Sequence, residues 1–233
     1  MAPLDFIIVQ HEEHTTPGST ILWLEKNRLK YRVLRPDCGD VFPDPSLQTA
    51  VVICGGIPNV DEDQQFPWLV AEKRWIAEIV KRQIPVVGLC LGAQLLAHVM
   101  GTRVFKSPDW EYGWQSVDFT SEFRQWSGVL DCQQRKVFQC HGYQFHLPAG
   151  MTSLGSSQAT SCQGFYKNRS VLAFQFHPEV DAQWIKLCVE ATKRIGPYCE
   201  PIENISNSTH QFLEANQVWY FGMLNRFFGI NSV

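Results

Sequence analysis

Short apolar runs alternate with longer amphipathic stretches along the first hundred residues. The runs are rich in β-branched residues, which is typical of strands buried on both faces of a parallel sheet. They cover residues 6–9, 31–34, 50–54 and 85–89. Between Trp68 and Val80, apolar residues recur at spacings of three and four and predict a helix. Helices are also predicted over 20–27 and 91–100. The alternation predicts an α/β fold in which helices cover both faces of a mostly parallel sheet.

The second half of the chain has a different pattern. From 103 to 174, short apolar runs are separated by Gly and Ser turns, which indicates antiparallel strands added to the sheet edge. A helix is predicted over 180–195, and an unusually aromatic one over about 208–228. Apolar residues cover more than one face of this last helix, so it is either buried or a surface for a second chain. No linker is evident, and residues 1–233 are interpreted as a single domain.

The charge balance is nearly even. Lys plus Arg number 20 and Asp plus Glu 23, and the basic residues form no stripe that could neutralise phosphates. Nucleic acid is therefore not an expected partner. No run of about 18 apolar residues occurs, and no basic region precedes the first apolar block. Neither a membrane span nor a secretion signal is predicted.

The chain contains eight cysteines, and none belongs to a Cys-x-x-Cys pair. This spacing argues against a zinc knuckle and a thioredoxin-type redox motif, and no metal site or cofactor is predicted. Without a secretion signal the expected location is the cytoplasm, where the cysteines are thiols. Most such thiols are small buried groups, and one is expected to be kept for its reactivity.

Cys90 is the candidate for that reactivity. It lies in Gly88-Leu-Cys-Leu-Gly92, where a predicted strand ends and a predicted helix begins. A Gly-x-Cys-x-Gly pattern at such a junction is the cysteine form of the nucleophile elbow, whose glycines allow a sharp turn that exposes the central side chain. The helix N-terminus favours thiolate over thiol. The alternative is that the glycines only allow close packing of strand and helix.

His177 and Glu179 supply the partners that a nucleophilic thiol needs. They lie at the end of another apolar run, in the segment Phe-Gln-Phe-His-Pro-Glu that ends at Glu179. Their separation of two in extended chain directs both side chains to the same side, and Pro178 restricts the backbone to such a conformation. The sequence therefore predicts a histidine base oriented by a carboxylate.

Together the two segments resemble the class I glutamine amidotransferases, the Cys-His-Glu triad type. The set is most similar to the free-standing, GMP-synthase-like branch. The resemblance implies a three-layer, flavodoxin-like α/β sandwich with a central, mostly parallel sheet. Further matching positions are Gln10-His11, Pro17-Gly18, Gly39-Asp40, Gly55-Gly56, Glu111-Tyr112-Gly113-Trp114, His141-Gly142 and Leu147-Pro148.

The resemblance implies that Cys90 attacks a carboxamide or γ-glutamyl carbonyl and forms a thioester. His177 would protonate the leaving ammonia or amine and then activate water, while Glu179 orients it. The oxyanion would be bound by the backbone N–H groups of Leu91 and Gly56. From spacing alone, the Gly55-Gly56 pair could equally be an ordinary turn.

The substrate-binding candidates are Gln94, Glu111, His141 and Tyr143. Gln94 matches a family position that contacts the amino-acid end of the substrate, although it could also be a solvated helix residue. Tyr143 stands where the GMP-synthase-like branch usually has an acid suited to the α-ammonium of glutamine. Either another acid such as Glu111 replaces it, or the substrate has no free ammonium there. Cys54 and Cys140 are expected to border the same pocket without reacting.

The sequence thus predicts a cysteine-dependent amidotransferase or amidohydrolase that releases ammonia or an amine from glutamine or a γ-glutamyl compound. It has no Gly-x-x-x-x-Gly-Lys loop for ATP, so either a separate synthetase or acceptor protein takes the ammonia or the chain only hydrolyses. A γ-glutamyl peptidase is the main enzymatic alternative. The alternative from another class is a scaffold that binds or acts on a macromolecule. A homodimer is left open.

Overall fold

A computed structural model describes residues 5–46, 49–128 and 133–230. The strands are β1 (Asp5–Val9), β2 (Lys30–Leu34), β3 (Thr49–Ile53), β4 (Val86–Leu89), β5 (Val104–Phe119), β6 (Gln134–Phe145), β7 (Thr152–Ser153), β8 (Gly155–Ser156), β9 (Gly164–Lys167) and β10 (Val171–Phe174). The helices are α1 (Ser19–Lys26), α2 (Trp68–Lys81), α3 (Leu91–Val99), α4 (Ser121–Ser127), α5 (Ala182–Ala191) and α6 (Ile202–Phe228), with a short 3₁₀ helix at Pro36–Cys38.

The main sheet has the order β2-β1-β3-β4-β10-β9-β7 within the described residues. The first five strands are parallel, and β9 and β7 continue the sheet in antiparallel pairing. The prediction of a mostly parallel sheet is confirmed. The carboxyl ends of β4 and β10, adjacent in the sheet, lead directly to Cys90 and to the His177 segment, so topology brings the two motifs together.

Alternate residues of the central strands pack into separate cores on the two faces of the sheet. Phe6, Ile8 and Val52 join a core with residues of α1, α4 and α6. Val9 and Val51 join the other core, which residues of α2 and α3 complete. Helices therefore cover both faces, and the three-layer α/β sandwich is confirmed.

The region 103–174 corrects the expectation that all of its strands extend the main sheet. β7 and β9 do so, but β6, β5 and β8 form a separate antiparallel sheet in that order. β5 and β6 pair over most of their length, with a register shift between Lys106 and Glu111. An alternating pattern predicts an antiparallel strand but does not say which sheet it joins. Helix α4, capped by the Thr120 hydroxyl that accepts from the Phe123 N–H, was not predicted.

The last two helices differ from their predicted bounds. α5 begins after Asp181, whose side chain accepts from the Trp184 N–H, and it ends at Ala191 rather than near 195. α6 begins at Ile202, several residues before the expected start. Trp219 and Tyr220 of α6 are buried in the first core, so these aromatic residues are not a surface for a second chain.

Candidate active site

Cys90 occupies a strained turn between β4 and α3. Its φ of 48° and ψ of −103° lie in a region that non-glycine residues rarely adopt, and such strain is concentrated at functional sites. The turn is held to β10 because the Cys90 N–H donates to the Phe174 carbonyl at 2.8 Å. A Cβ at Gly92 would overlap the Ile53 carbonyl, so this glycine permits α3 to start against the sheet.

His177 and Glu179 form a buried pair just beyond β10. Nδ1 of His177 lies 2.8 Å from Oε1 of Glu179, and because a carboxylate only accepts, Nδ1 carries the proton. The His177 N–H donates to the Phe138 carbonyl at 2.9 Å, which fixes the backbone against β6. The indole of Trp184 packs against the imidazole, with 4.7 Å between ring centroids.

The pKa of His177 is raised well above its ordinary value. Burial by itself would lower this pKa, but the charge of Glu179, the neighbouring sulfur of Cys90 and hydrogen bonds to both outweigh it. The arrangement therefore favours an imidazolium beside the thiol. Such a group can give a proton to a leaving amine.

The backbone around this pair is held by distant parts of the chain. The Asn216 side chain, buried on α6, donates to the Pro178 carbonyl at 2.9 Å. The Ser19 N–H at the start of α1 donates to the Glu179 carbonyl at 2.7 Å. The position of the carboxylate thus depends on both helices of one layer.

A cavity of about 490 Å³ opens beside the elbow. It is lined by the sequence-predicted residues Gly56, Cys90, Gln94, His141, Tyr143 and His177. Sequence reasoning did not assign several other residues of its wall, among them Glu12, Trp110, Trp184, Cys188 and Arg194. Its volume is in the range of small-molecule sites.

Gly56 and Leu91, the predicted oxyanion donors, lie against each other. A Cβ at Gly56 would come within 2.7 Å of the Leu91 side chain and 3.2 Å of His11. Leu91 is the first residue of α3, so its N–H has no acceptor within the helix. The Gly55 carbonyl, just before Gly56, is held 2.8 Å from Nδ1 of His11.

Gln94 and Gln175 connect the cavity wall to the sulfur of Cys90. Gln94 donates to the Gln175 side-chain oxygen at 3.3 Å and to the Tyr143 carbonyl at 3.4 Å. Gln175 in turn donates to the Cys90 sulfur at 3.8 Å. The role of Gln175 was missed, although its place two residues before His177 puts it on the same strand end. An amide N–H directed at the sulfur stabilises a thiolate.

Glu111 does not line the cavity, which corrects the expectation that it could replace the missing acid beside Tyr143. It lies buried behind the wall, and its carboxylate accepts from the amides of Gln163 at 2.8 Å and Gln139 at 3.4 Å. Nε2 of His141 lies 3.4 Å from it. Burial would raise the pKa of Glu111, but His141 and neighbouring hydroxyl groups outweigh this and lower it. Glu111 therefore stabilises the residues behind the cavity wall and does not itself face the cavity.

The other cysteines separate into distinct environments. Cys140 lines the cavity as expected, and its sulfur lies 3.3 Å from that of Cys188. Cys54 is buried outside the cavity wall, so the expectation that it borders the pocket is wrong. Burial raises its pKa well above the ordinary thiol value. Cys132 lies outside the described residues.

Two further observations concern metal ions and membranes. Across the described ranges, no three His, Cys, Asp or Glu side chains come close enough together to hold a metal ion. In the same residues, no helix combines the length and apolarity that crossing a membrane requires.

The fold and the cavity define an α/β protein in which a cysteine at a strand–helix elbow faces a histidine–carboxylate pair. Residues 24–184 match the family model described as glutamine amidotransferase class-I. The chain belongs to the class I glutamine amidotransferase family.

Relatives and solved structures agree with this assignment. A GMP synthase (glutamine-hydrolyzing) from Oleidesulfovibrio alaskensis is 35% identical over 57% of this chain and 25% of its own length. One subunit of the GMP synthase (glutamine-hydrolyzing) from Thermoplasma acidophilum is 32% identical over 56% of this chain and 63% of its own length. The chain thus spans less than two thirds of these relatives. A crystal structure of a glutamine amidotransferase from Thermotoga maritima has a TM-score of 0.87 and 26% identity, and the match covers 97% of this chain and 99% of that one.

Proposed function

We propose that this chain is a cysteine-dependent glutamine amidotransferase or amidohydrolase that releases ammonia or an amine from glutamine or a γ-glutamyl compound. The observation that carries the proposal is the meeting of the strained Cys90 turn and the buried His177–Glu179 pair at one cavity. Membership of the class I family supports the same chemistry.

The reaction has two halves. The Cys90 thiolate adds to the γ-carbonyl carbon, and the carbonyl π electrons move to the oxygen. As that oxygen re-forms the double bond, the C–N bond breaks, and His177 gives its Nε2 proton to the leaving nitrogen. This leaves a γ-glutamyl thioester on Cys90. His177 then takes a proton from water, the resulting hydroxide adds to the thioester, and Cys90 leaves as the thiolate.

Charge stabilisation is supplied by groups fixed before the substrate binds. Backbone N–H groups of Gly56 and Leu91 would face the oxyanion, and Gln175 would stabilise the thiolate on departure. The raised pKa of His177 favours the imidazolium that is needed in the first half. Glu179 holds Nδ1, so Nε2 is left for proton transfer.

Glu12, rather than Glu111, is the acid that lines the cavity in the described residues. Its Oε1 accepts from the Ile57 N–H at 2.9 Å, and its carboxylate is the candidate partner for a substrate ammonium. Burial raises the pKa of Glu12. Tyr143 lines the wall where the related branch has an acid, so both glutamine and γ-glutamyl compounds are candidates.

An amidotransferase also needs an ammonia acceptor. We propose that a separate synthetase or acceptor protein supplies it, or that the chain only hydrolyses. The Thermoplasma relative is named as one subunit of its enzyme, which supports the first choice. The described cysteines are unpaired, which supports a reducing compartment such as the cytoplasm. Co-purification with a tagged chain, followed by a glutaminase assay with and without the captured protein, would separate the two choices.

The test is a hydrolysis assay with glutamine, a γ-glutamyl dipeptide and glutathione. Cys90→Ala should abolish product formation, whereas Cys38→Ala should retain it because Cys38 is exposed and outside the cavity. Intact mass after rapid acid quench should reveal an acyl adduct on the wild type and none on Cys90→Ala. Activity that survives Cys90→Ala would overturn the mechanism. Wild-type inactivity on all three substrates, with no preferential iodoacetamide labelling of Cys90, would favour the scaffold alternative.

A further inference from the structure

The segment that follows α5 forms a wall of the cavity that none of the sequence motifs covers. α5 ends at Ala191, and Thr192 is extended with φ −132° and ψ 98°. This change of direction brings Arg194 to the cavity wall beside Leu187 and Thr192. The family model matches only residues 24–184, so Arg194 lies beyond the part of the chain that the family describes.

Arg194 is seated on an aromatic platform. Its guanidinium lies over the Trp110 ring, 4.1 Å from the centroid. Trp110 is packed against Gly142, where an added Cβ would come within 2.7 Å of the indole. Gly142 lies between His141 and Tyr143 on β6, so the platform belongs to the wall that carries the substrate-binding candidates. Stacking on one face of the guanidinium leaves its donor edge available for an anion.

No carboxylate of the described residues forms an ion pair with the Arg194 guanidinium, whereas Arg35 and Arg82 both form such pairs. Nε of Arg194 is buried without a hydrogen-bond partner. A guanidinium on a cavity wall that pairs with no carboxylate of the described residues is suited to bind a ligand carboxylate through its terminal nitrogens.

We propose that Arg194, stacked on Trp110, is a subsite for a carboxylate of the substrate. The proposal rests on the proposed hydrolysis of glutamine or a γ-glutamyl compound. The planar fork of a guanidinium fits a carboxylate through two parallel hydrogen bonds, which fixes the orientation of the substrate as well as adding affinity. Two carboxylates have this chemistry: the α-carboxylate of the glutamyl unit and the carboxylate of an amino acid attached to its γ-carbonyl.

The test compares substrates with and without each of those two carboxylates. The set consists of glutamine, glutamine α-amide, γ-glutamylglycine and γ-glutamylglycinamide. They are assayed with the wild type, Arg194→Met and Arg194→Lys. Arg103→Met is the matched control, because Arg103 also lies over an aromatic ring, Phe105, but outside the cavity wall.

For substrates that bear the recognised carboxylate, Arg194→Met should lower kcat/KM by about 10- to 100-fold, mainly through KM, as expected for loss of a charge-assisted hydrogen bond. Arg194→Lys should retain part of the activity, because it keeps the charge and loses the fork. If the α-carboxylate is bound, glutamine α-amide should be insensitive to Arg194→Met. If the leaving group's carboxylate is bound, γ-glutamylglycinamide should be insensitive and γ-glutamylglycine sensitive.

A binding measurement separates the subsite from the chemistry. Calorimetric titration of Cys90→Ala with the same four compounds requires no turnover, and the Arg194→Met change is repeated in that background. Equal loss of affinity for all four compounds, or no loss for any, would overturn the subsite. Absence of hydrolysis by the wild type, with carboxylate-dependent binding retained, would overturn the proposed function and leave the subsite in place. Melting temperatures of both arginine variants near that of the wild type exclude a folding defect.

Discussion

Replacing Glu72 with leucine is expected to destabilise the protein and slow hydrolysis together. Glu72 lies on α2, with its Oε1 2.9 Å from Nε2 of His11, and both side chains are fully buried. Nδ1 of His11 faces the Gly55 carbonyl at 2.8 Å. The Gly55 carbonyl only accepts hydrogen bonds, so Nδ1 of His11 donates to it, and the raised pKa of His11 favours a charged imidazolium beside Glu72.

The size of the effect follows from this burial. Removing one partner of a buried ion pair costs about 3–5 kcal/mol, because the other charge is left uncompensated. Solvent screening gives no discount, since neither side chain is exposed. Domains of this kind have a free energy of unfolding of about 5–15 kcal/mol and lose about 1–3 kcal/mol per molar urea. The urea midpoint of Glu72→Leu should therefore fall by roughly 1–5 M.

The matched control lies on the same helix. Glu78 is solvent-exposed and pairs with Lys81 and Arg82, so Glu78→Leu should leave the midpoint close to that of the wild type. Hydrolysis provides the second measurement. His11 holds Gly55, which precedes the proposed oxyanion donor Gly56, and one such donor contributes about 10²- to 10³-fold to kcat. If Glu72→Leu had the same midpoint and kcat as Glu78→Leu, the reasoning would be refuted.

The same pair predicts a dependence of stability on pH. Burial lowers the pKa of His11, but the charge and hydrogen bond of Glu72 outweigh it, and the net shift is upward from 6.5. The stabilisation is therefore fully present below the pKa of the unfolded histidine and is lost as the pH rises through the folded value. Glu72→Gln should remove this dependence, because its amide can donate to a neutral His11. The pKa of His177 is also raised, and this histidine is present in both proteins. The wild type and Glu72→Gln are therefore compared at each pH, so that the contribution of His177 cancels. Identical pH profiles would contradict the assignment.

Three further changes test the elbow, the base and the cavity thiols. The carboxylate charge of Glu179 raises the pKa of His177, so Glu179→Gln should lower that pKa. The alkaline limb of the pH profile of kcat/KM should then move to lower pH. An unmoved limb would argue against a functional Glu179–His177 pair. Gly92→Ala should cost about 1–3 kcal/mol by calorimetry, because its Cβ would overlap the Ile53 carbonyl, and a wild-type melting temperature would rule this out. The sulfurs of Cys140 and Cys188 lie 3.3 Å apart, so diamide should oxidise the two thiols to a disulfide. Mass spectrometry should then show their peptides linked, with a loss of about 2 Da for the two hydrogens. The linked pair should be absent in Cys188→Ser, and failure to form it in the wild type would refute the prediction.

The parallel half of the fold could be predicted because its signals are local. Each central strand is a short β-branched run buried on both faces, and the helix over Trp68–Lys81 has a clear apolar stripe. Sheet membership in the second half could not be predicted. β5 and β6 pair mainly with each other. Their alternating apolar and polar residues are compatible both with a separate sheet and with the edge of the main sheet.

The end of α5 shows a similar limit. Residues 192–195 are compatible with a helix by composition, and nothing in the local sequence ends it before Gly196. The helix stops at Ala191 in the structure, and the following segment turns towards Trp110. Tertiary packing against the β5–β6 sheet therefore overrides the local preference.

The candidate site likewise contains residues that could be predicted from the sequence and residues that could not. Cys90, His177 and Glu179 could be predicted to lie together because each belongs to a short motif at a strand end, where backbone geometry directs the side chains. Glu111 was assigned wrongly because its sequence neighbourhood does not reveal that it faces Gln163 rather than the cavity. The His11–Glu72 pair joins residues far apart in the chain, and no spacing rule predicts such a contact.

The proposed reacting groups and the proposed substrate-selecting groups come from different parts of the chain. The groups proposed to break and form bonds lie on the carboxyl ends of β4 and β10 or just beyond them, within the residues that the family model matches. Another part of the cavity wall comes from α5 and from the segment that carries Arg194, which extends past that match. A relative can keep the Cys90 turn and the His177–Glu179 pair and yet present a different wall to the far end of the substrate. On the proposal made for Arg194, recognition of a substrate carboxylate depends on this wall and not on the elbow motif.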